Sequence, residues 1–252
     1  MIMWKPTLVA TSLNLRIERG HKASEYRLSG DVAKSQLQFS PDFICNYEDM
    51  EGCVSDEYDG KLEKGYIRIA ATDDYQGRGV SCWVKRGYSA KKIYSMTSPH
   101  FMHVGITNDE GIEINLLILR ILVSNSGPND YIERNVQWCK VMEYIDSLTD
   151  KINLVLVGDW NHGVIGDIKT YSGKSRQHFN FQMIEQSLSA RNMQMVPMDG
   201  YSYKGFMAID HLAVSSTVSA ENARYVDVYG TDVSEIGTPD HSFIVSELTI
   251  CG

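Results

Sequence analysis

Apolar residues recur along this chain in two rhythms. Short runs rich in Val, Ile and Leu, bounded by polar turns, predict β-strands. They fall at residues 8–15, 43–47, 66–71, 79–84, 92–96, 102–106, 153–157, 208–214, 224–229 and 242–248. A longer apolar run at 113–123 is too rich in Ile and Leu for an edge strand. Spacings of three and four predict helices instead. The strongest spans 131–149, with Trp138, Val141, Met142, Ile145 and Leu148 on one side. A second spans 177–190 and aligns Phe181, Ile184 and Leu188. Residues 22–39 carry a weaker helical signal through Leu28, Val32 and Phe39, which Gly30 interrupts.

Many strands with a few interspersed helices predict an α/β protein in which two packed sheets are covered by helices. The strand-helix-strand passage from 113 to 157 fits a crossover unit. The unbroken apolar run before Gly158 predicts a strand buried on both faces. The 252 residues contain no internal repeat, low-complexity tract or Pro/Ser-rich linker, so a single domain over 1–252 is expected. A chain of this length can bury an adequate core without disulfides.

Charge narrows the partners. The 24 Lys and Arg residues against 32 Asp and Glu give a net charge of -8, which argues against a broad basic face for long duplexes. It does not argue against a carboxylate-rich metal site, which is itself acidic. The five cysteines are odd in number and have no Cys-x-x-Cys spacing, the usage of reduced thiols. Residues 1–15 lack the features of a secretory signal, and no stretch approaches the roughly 20 apolar residues of a membrane span. A cytoplasmic protein, monomeric and without membrane attachment, is expected.

Four clusters place an acid, Asn or His just past an apolar run, where sheets present functional groups. The first is Ser12-Leu13-Asn14. The second is Glu48, following Pro41-Asp42-Phe43-Ile44-Cys45-Asn46-Tyr47; a carboxylate there suits a hard cation such as Mg²⁺. The third is Gly158-Asp159-Trp160-Asn161, where Gly158 is expected to let the chain turn. Asp159 and Asn161, two apart in extended chain, are expected to share a face. The fourth is a pair of dipeptides, Asp210-His211 and Asp240-His241, in which a carboxylate could fix an imidazole tautomer. His100 and His103 would face opposite sides of a strand, which speaks against a shared metal.

In this order the clusters resemble the endonuclease/exonuclease/phosphatase superfamily, which includes DNase I-like nucleases, apurinic endonucleases and tyrosyl-DNA phosphodiesterases. The resemblance runs from Leu8 to Leu248. Ser12-Leu13-Asn14 looks like the family's first strand end. Pro41 to Glu48 looks like its Pro-Asp-x-Ile-x-x-Gln-Glu, and Gly158 to Asn161 matches its Gly-Asp-x-Asn in full. Ile209-Asp210 through Ser215 looks like its Ile-Asp-x-x-x-x-Ser, and Pro239-Asp240-His241 like its Ser-Asp-His. Leu122-Val123-Ser124-Asn125-Ser126-Gly127 resembles its Tyr-Val-Pro-Asn-x-Gly. Departures stand at Tyr47 for Gln, Leu122 for Tyr and Pro239 for Ser. The Cys-Asp-Arg of inositol 5-phosphatases is absent, since the chain reads Ile209-Asp210-His211.

The resemblance implies a four-layer α/β/β/α sandwich with two mostly antiparallel, mixed sheets. It implies a phosphodiesterase with Mg²⁺, or Mn²⁺ in its place, held by Glu48, Asp240 and Asn14. Asp159 would position or deprotonate the attacking water, with Asn161 and Asn125 on the phosphate. Asp210 would orient a catalytic neighbour, and His241 would act as acid, base or charge stabiliser. The substrate class it implies is nucleic acid, DNA first. Tyr203 and Lys204 are candidate substrate contacts, as are Tyr201 and Phe206. Arg78, Lys85, Arg86, Lys91, Lys92, Lys174 and Arg176 are candidate backbone grips that read equally as solvated surface. Two alternatives stay open: a phosphatase or phosphodiesterase for a nucleotide, protein–DNA adduct or phospholipid, and a binding protein on a degenerate site.

Overall fold

A computed structural model describes residues 3–13, 30–50, 56–70, 78–123, 129–165, 178–228 and 239–251. In chain order its elements are β1 (Met3–Trp4), β2 (Thr7–Ser12), α1 (Gly30–Leu37), β3 (Phe43–Met50), α2 (Asp56–Leu62), β4 (Tyr66–Ala70), β5 (Arg78–Lys85), β6 (Ser89–Thr97), β7 (His100–Thr107), β8 (Glu113–Arg120), α3 (Asn129–Ser147), β9 (Leu154–Ile165), α4 (Phe181–Ser189), β10 (Met193–Met195), β11 (Met207–Ser215), β12 (Val218–Val226) and β13 (Phe243–Cys251). Seven strands form one sheet in the order β1-β13-β2-β3-β5-β4, with β12 also paired to β13. Six form the other in the order β10-β11-β9-β8-β7-β6. Each sheet has one parallel pair, β2 with β3 and β8 with β9; the other pairings are antiparallel. The β8–α3–β9 passage is the expected crossover.

Period-two alternation sorts the side chains into layers. On β9, Val155 and Val157 face the seam between the sheets, where they meet Cys45, Leu116, Ile118, Leu212 and Ile244. Leu154 and Leu156 face outward against Trp138, Val141 and Ile145 of α3 and Ile184 and Leu188 of α4. On the outer face of the other sheet, Val32 and Ala33 of α1 and Tyr58 and Leu62 of α2 cover Ile44 and Trp83. The result is the expected four-layer α/β/β/α sandwich. Burying each Leu, Ile or Val of the seam contributes roughly 1.5–3 kcal/mol.

Local signals set the helix limits. Asn180 caps α4, its side chain accepting from the Met183 backbone N–H at 3.0 Å. In α3 the buried stripe of Trp138, Val141, Met142 and Ile145 holds the helix to the sheet, while Ile132 and Val136 face solvent. No helix among the described residues is long and apolar enough to cross a membrane.

One strand departs from expectation. β9 does not turn at Gly158 but continues to Ile165. Gly158 is needed for close approach instead: a Cβ there would lie 1.7 Å from the Leu119 carbonyl oxygen of the parallel neighbour. Polar residues beyond Gly158 keep pairing, Asp159 opposite Asp210 on one side and Arg120 on the other.

Candidate active site

The same alternation that builds the seam delivers polar groups to its rim. Asp159 follows Val155 and Val157 on the inner face of β9, Arg120 follows Leu116 and Ile118 on β8, and Asp210 precedes Leu212 and Val214 on β11. Three adjacent strands thus aim Arg120, Asp159 and Asp210 at one place. From the facing sheet, β3 brings Tyr47, in phase with Phe43 and Cys45, and then Glu48.

Backbone irregularities sharpen the aim. Tyr47 pairs with Val80 and Asp49 with Gly79, which leaves Glu48 as the extra residue of a β-bulge, with φ of 55°. A non-glycine residue in this region is held there at a cost, and bulges re-aim side chains. The bulge turns Glu48 onto Arg120, Oε1 to Nη2 at 2.9 Å, with both side chains largely buried. On β9, residues 160–163 stand opposite Ile209 alone. Asn161 lies within that bulge at φ 47°.

Asn161 does share a site with Asp159, by hydrogen bonding. Its backbone N–H donates to Asp159 Oδ1 at 2.8 Å, and its Nδ2 donates to Asp159 Oδ2 at 2.9 Å and to the Ile121 carbonyl at 2.7 Å. Both amide hydrogens are therefore committed to holding Asp159 and the β8 end, not directed at a phosphate. Arg134 of α3 in turn donates to the Asn161 carbonyl and pairs with Asp130.

The two Asp-His dipeptides do not form two pairs. His241 Nδ1 meets Oδ2 of Asp210, from the other dipeptide, at 2.8 Å, while its Nε2 is 3.8 Å from Asp240. His211 leaves β11 on the opposite face from Asp210. There its Nε2–H donates to the His162 carbonyl at 2.7 Å, and it packs against Trp160 and Phe181. Asp210 is fixed on several sides. Its N–H donates to Ser202 Oγ at 3.0 Å, and its carbonyl accepts from Tyr225 Oη at 2.7 Å. Its Oδ1 and the buried Tyr47 hydroxyl each lack a hydrogen bond among the described residues. They lie close enough for the carboxylate to act on the phenol, which burial and then the charges of Asp210 and Asp159 hold well above the ordinary range.

Crowding sets the proton affinities. Burial, then the Asp210 charge, raises the Asp159 carboxyl to about 7, with Glu48 adding and His241 and Arg120 opposing. Burial opposes charge on His241, but Asp210, Asp159 and Asp240 outweigh it and raise the imidazole to about 10. At neutral pH these affinities place a histidinium beside a carboxyl near the midpoint of its titration.

Tyr203 flanks this centre, bridged to His241 in the backbone and with ring centroids 4.8 Å apart. The Lys204 ammonium lies 4.7 Å over the Tyr203 ring. Phe206 is exposed nearby in the chain, whereas Tyr201 is half-buried. Lys85 pairs with Asp42, Arg86 donates to the Glu63 carbonyl, and Lys91 and Lys92 are exposed on β6. His103 bonds Tyr144 and Asn115 at 2.8 Å each, a buried structural role. Asn14, Asn125, Lys174 and Arg176 lie outside the described residues, as does the side chain of Arg78. Sequence reasoning missed Arg120, Ser202 and Tyr225. Only Arg120 left a signal, as a charged residue continuing the inner-face rhythm of Leu116 and Ile118.

Among the described residues no three His, Cys, Asp or Glu side chains converge as a metal cage. A hard cation that keeps several waters needs only one or two carboxylates. Glu48, Asp159, Asp210 and Asp240 supply oxygen donors in excess of the positive charge of Arg120 and His241. The donor set fits Mg²⁺ or Mn²⁺, and not a thiolate or imidazole metal.

Neither protein-family models nor curated protein sequences match the chain. Solved structures do. An endonuclease/exonuclease/phosphatase family protein from Bacteroides thetaiotaomicron superposes with a TM-score of 0.64 at 17% identity, over 99% of this chain and 96% of that one. TDP2 of D. rerio, complexed with a single-strand DNA product, gives 0.63 at 13% identity over 97% and 98%. ANGEL2, a 2',3'-cyclic phosphatase in complex with adenosine-2',3'-vanadate, gives 0.66 at 11% identity over 98% and 96%. The chain has the endonuclease/exonuclease/phosphatase fold, the architecture its motifs resemble.

Proposed function

We propose that this chain is a divalent-metal-dependent phosphoric ester hydrolase that cleaves nucleic-acid phosphodiester bonds, DNA first, through attack of an activated water. The observation that carries this reading is the meeting of Asp159, Asp210 and His241 at the seam rim, with the Glu48–Arg120 pair facing them. A phosphodiester is anionic, so its hydrolysis needs charge neutralisation, an oriented nucleophile and a stabilised leaving oxygen.

Asp159, held by two donors from Asn161, takes the proton of the attacking water; a carboxyl titrating near 7 suits that task at neutral pH. Asp210 keeps His241 oriented and protonated, so Nε2 offers positive charge and a proton to the phosphoryl group or leaving oxygen. Glu48 and Asp240, with Asn14, would hold Mg²⁺ or Mn²⁺. When bound, the metal neutralises phosphate charge and acidifies water. Asn125 faces the phosphate in this reading. Tyr203 and Lys204, beside His241, suit a base or sugar and the next phosphate. The protein acts as an intracellular monomer. Free Cys45, Cys82 and Cys139 support a reducing compartment.

A second reading, a small cyclic nucleotide ester as substrate, is favoured by the likeness to ANGEL2. Product analysis separates the two. Single-stranded, double-stranded and abasic DNA and adenosine 2',3'-cyclic phosphate are each incubated with Mg²⁺. Cleavage of DNA in preference to the cyclic nucleotide supports the first reading, and the reverse preference supports the second.

A further inference from the structure

We propose that Arg120 is a phosphoryl-oxygen contact of this site, gripping the anion through guanidinium N–H groups that Glu48 leaves over. Resting on the hydrolase reading, the assignment adds a residue to the binding machinery that no cluster in the sequence pointed to.

Position comes first. Arg120 ends β8 directly beside Asp159, on the inner face set by Leu116 and Ile118. Its side chain is 13% exposed, so part of it stays open at the rim while Nε is buried. Capacity comes second. The guanidinium carries five N–H donors in a fixed planar fork. Glu48 engages Nη2, and Nε is buried with no hydrogen-bond partner among the described residues. A buried charged donor left without an acceptor is costly unless a ligand supplies one. Need comes third. The carboxylates of Glu48, Asp159 and Asp210 would repel a phosphate, and among the described groups only Arg120 and His241 bring positive charge to their centre. The neighbouring position offers no substitute. Leu122 has an apolar side chain, and its backbone N–H and carbonyl are both taken by Gln137.

Arginine is suited to this in a way lysine is not. A planar fork can hold Glu48 through one nitrogen and present others to a tetrahedral oxyanion, whereas an ammonium is a point charge. If Arg120 served only as the counter-charge of Glu48, a lysine cation in its place would leave phosphate binding unchanged, whatever it cost in stability.

The test is binding of inorganic phosphate with Mg²⁺ present, by isothermal titration, to wild type, Arg120→Lys and Arg120→Gln. Thermal melts confirm that each is folded. The expected result is saturable binding by wild type, weakened roughly tenfold or more in Arg120→Lys and further in Arg120→Gln. Arg120→Lys binding phosphate as tightly as wild type overturns the assignment, and so does a wild type that binds none. Hydrolysis is read separately. Arg120-dependent phosphate binding in a protein that cleaves no ester upholds the contact and removes only the hydrolase reading.

Discussion

His241 reaches past its sequence neighbour Asp240 to bond Asp210, Nδ1 to Oδ2 at 2.8 Å. The partner is 31 residues away in the chain and lies on β11, whereas His241 stands just before β13. It is this link, with Asp159 across the ladder from Asp210, that turns scattered acids into one site.

The first expectation concerns that link. Burial opposes protonation of His241, and Asp210→Asn removes the main charge that offsets it, leaving Asp159 and Asp240 to do so. The His241 pKa should fall clearly from about 10. Phosphodiester hydrolysis should drop by roughly a hundredfold or more. A histidine NMR titration, with His241 assigned by its own substitution, reads the first effect. An unchanged titration would show that Asp210 does not hold the imidazole.

Stability should carry a pH signature in EDTA. Asp159 titrates near 7 in the fold against about 3.9 unfolded, so between those values the fold keeps a proton that the unfolded chain has lost. Its contribution is therefore largest at low pH and is lost as pH rises from about 4 to about 7. His241, near 10 against about 6.5, has the same sign over the next window. Asp159→Asn should be more resistant to urea than wild type at pH 8, with a flatter profile between pH 5 and 8. Mg²⁺ should narrow the gap by stabilising wild type more. Parallel profiles for the two proteins would contradict the crowding of carboxylates.

Gly158 should not tolerate a methyl group. The nearest obstacle is backbone, the Leu119 carbonyl, so relief requires β8 and β9 to separate. Gly158→Ala should cost on the order of 4 kcal/mol or more in denaturant titrations. Gly60→Ala is the control. It lies in α2 with open space around its Cβ and should stabilise by about 0.5–1 kcal/mol. Similar effects at the two positions would show that Gly158 is not under this constraint.

Arg134 ties α3 to the site by donating to the Asn161 carbonyl. Arg134→Met should cost about 1.5–3 kcal/mol of stability. It should also lower kcat roughly tenfold at temperatures where the variant stays folded, with KM little changed. Full activity in the folded variant would separate Arg134 from the placement of Asp159.

Much of the architecture was legible because burial and period coincide. Residues 154–157 alternate between two apolar layers, so they read as a strand buried on both faces, and α3 shows a helical stripe. β1 and β10, of two and three residues, are too short to establish a period. The α2 sequence Asp-Glu-Tyr-Asp-Gly-Lys-Leu offers only Tyr58 and Leu62 as apolar anchors. Within the site, Asp159, Asp210 and His241 were legible because acids and histidines beside apolar strands are conspicuous. Their partners were not. Adjacent residues on a strand point to opposite faces, so Asp210 and His211 part company at once. The bulges at Glu48 and Asn161 arise from pairing register, which only the neighbouring strand fixes. Arg120 was hidden inside a run that read as core.

We propose Asp159 as the centre of a metal-dependent phosphoesterase site. Its most direct test follows single-stranded DNA cleavage by purified wild type and Asp159→Asn, with Mg²⁺ and with EDTA. Cleavage by wild type in Mg²⁺, abolished by EDTA and reduced by roughly a hundredfold or more in folded Asp159→Asn, is the expected outcome. Cleavage that survives both EDTA and the substitution, or a wild type that hydrolyses neither DNA nor any other phosphate ester offered with Mg²⁺ or Mn²⁺, would contradict it.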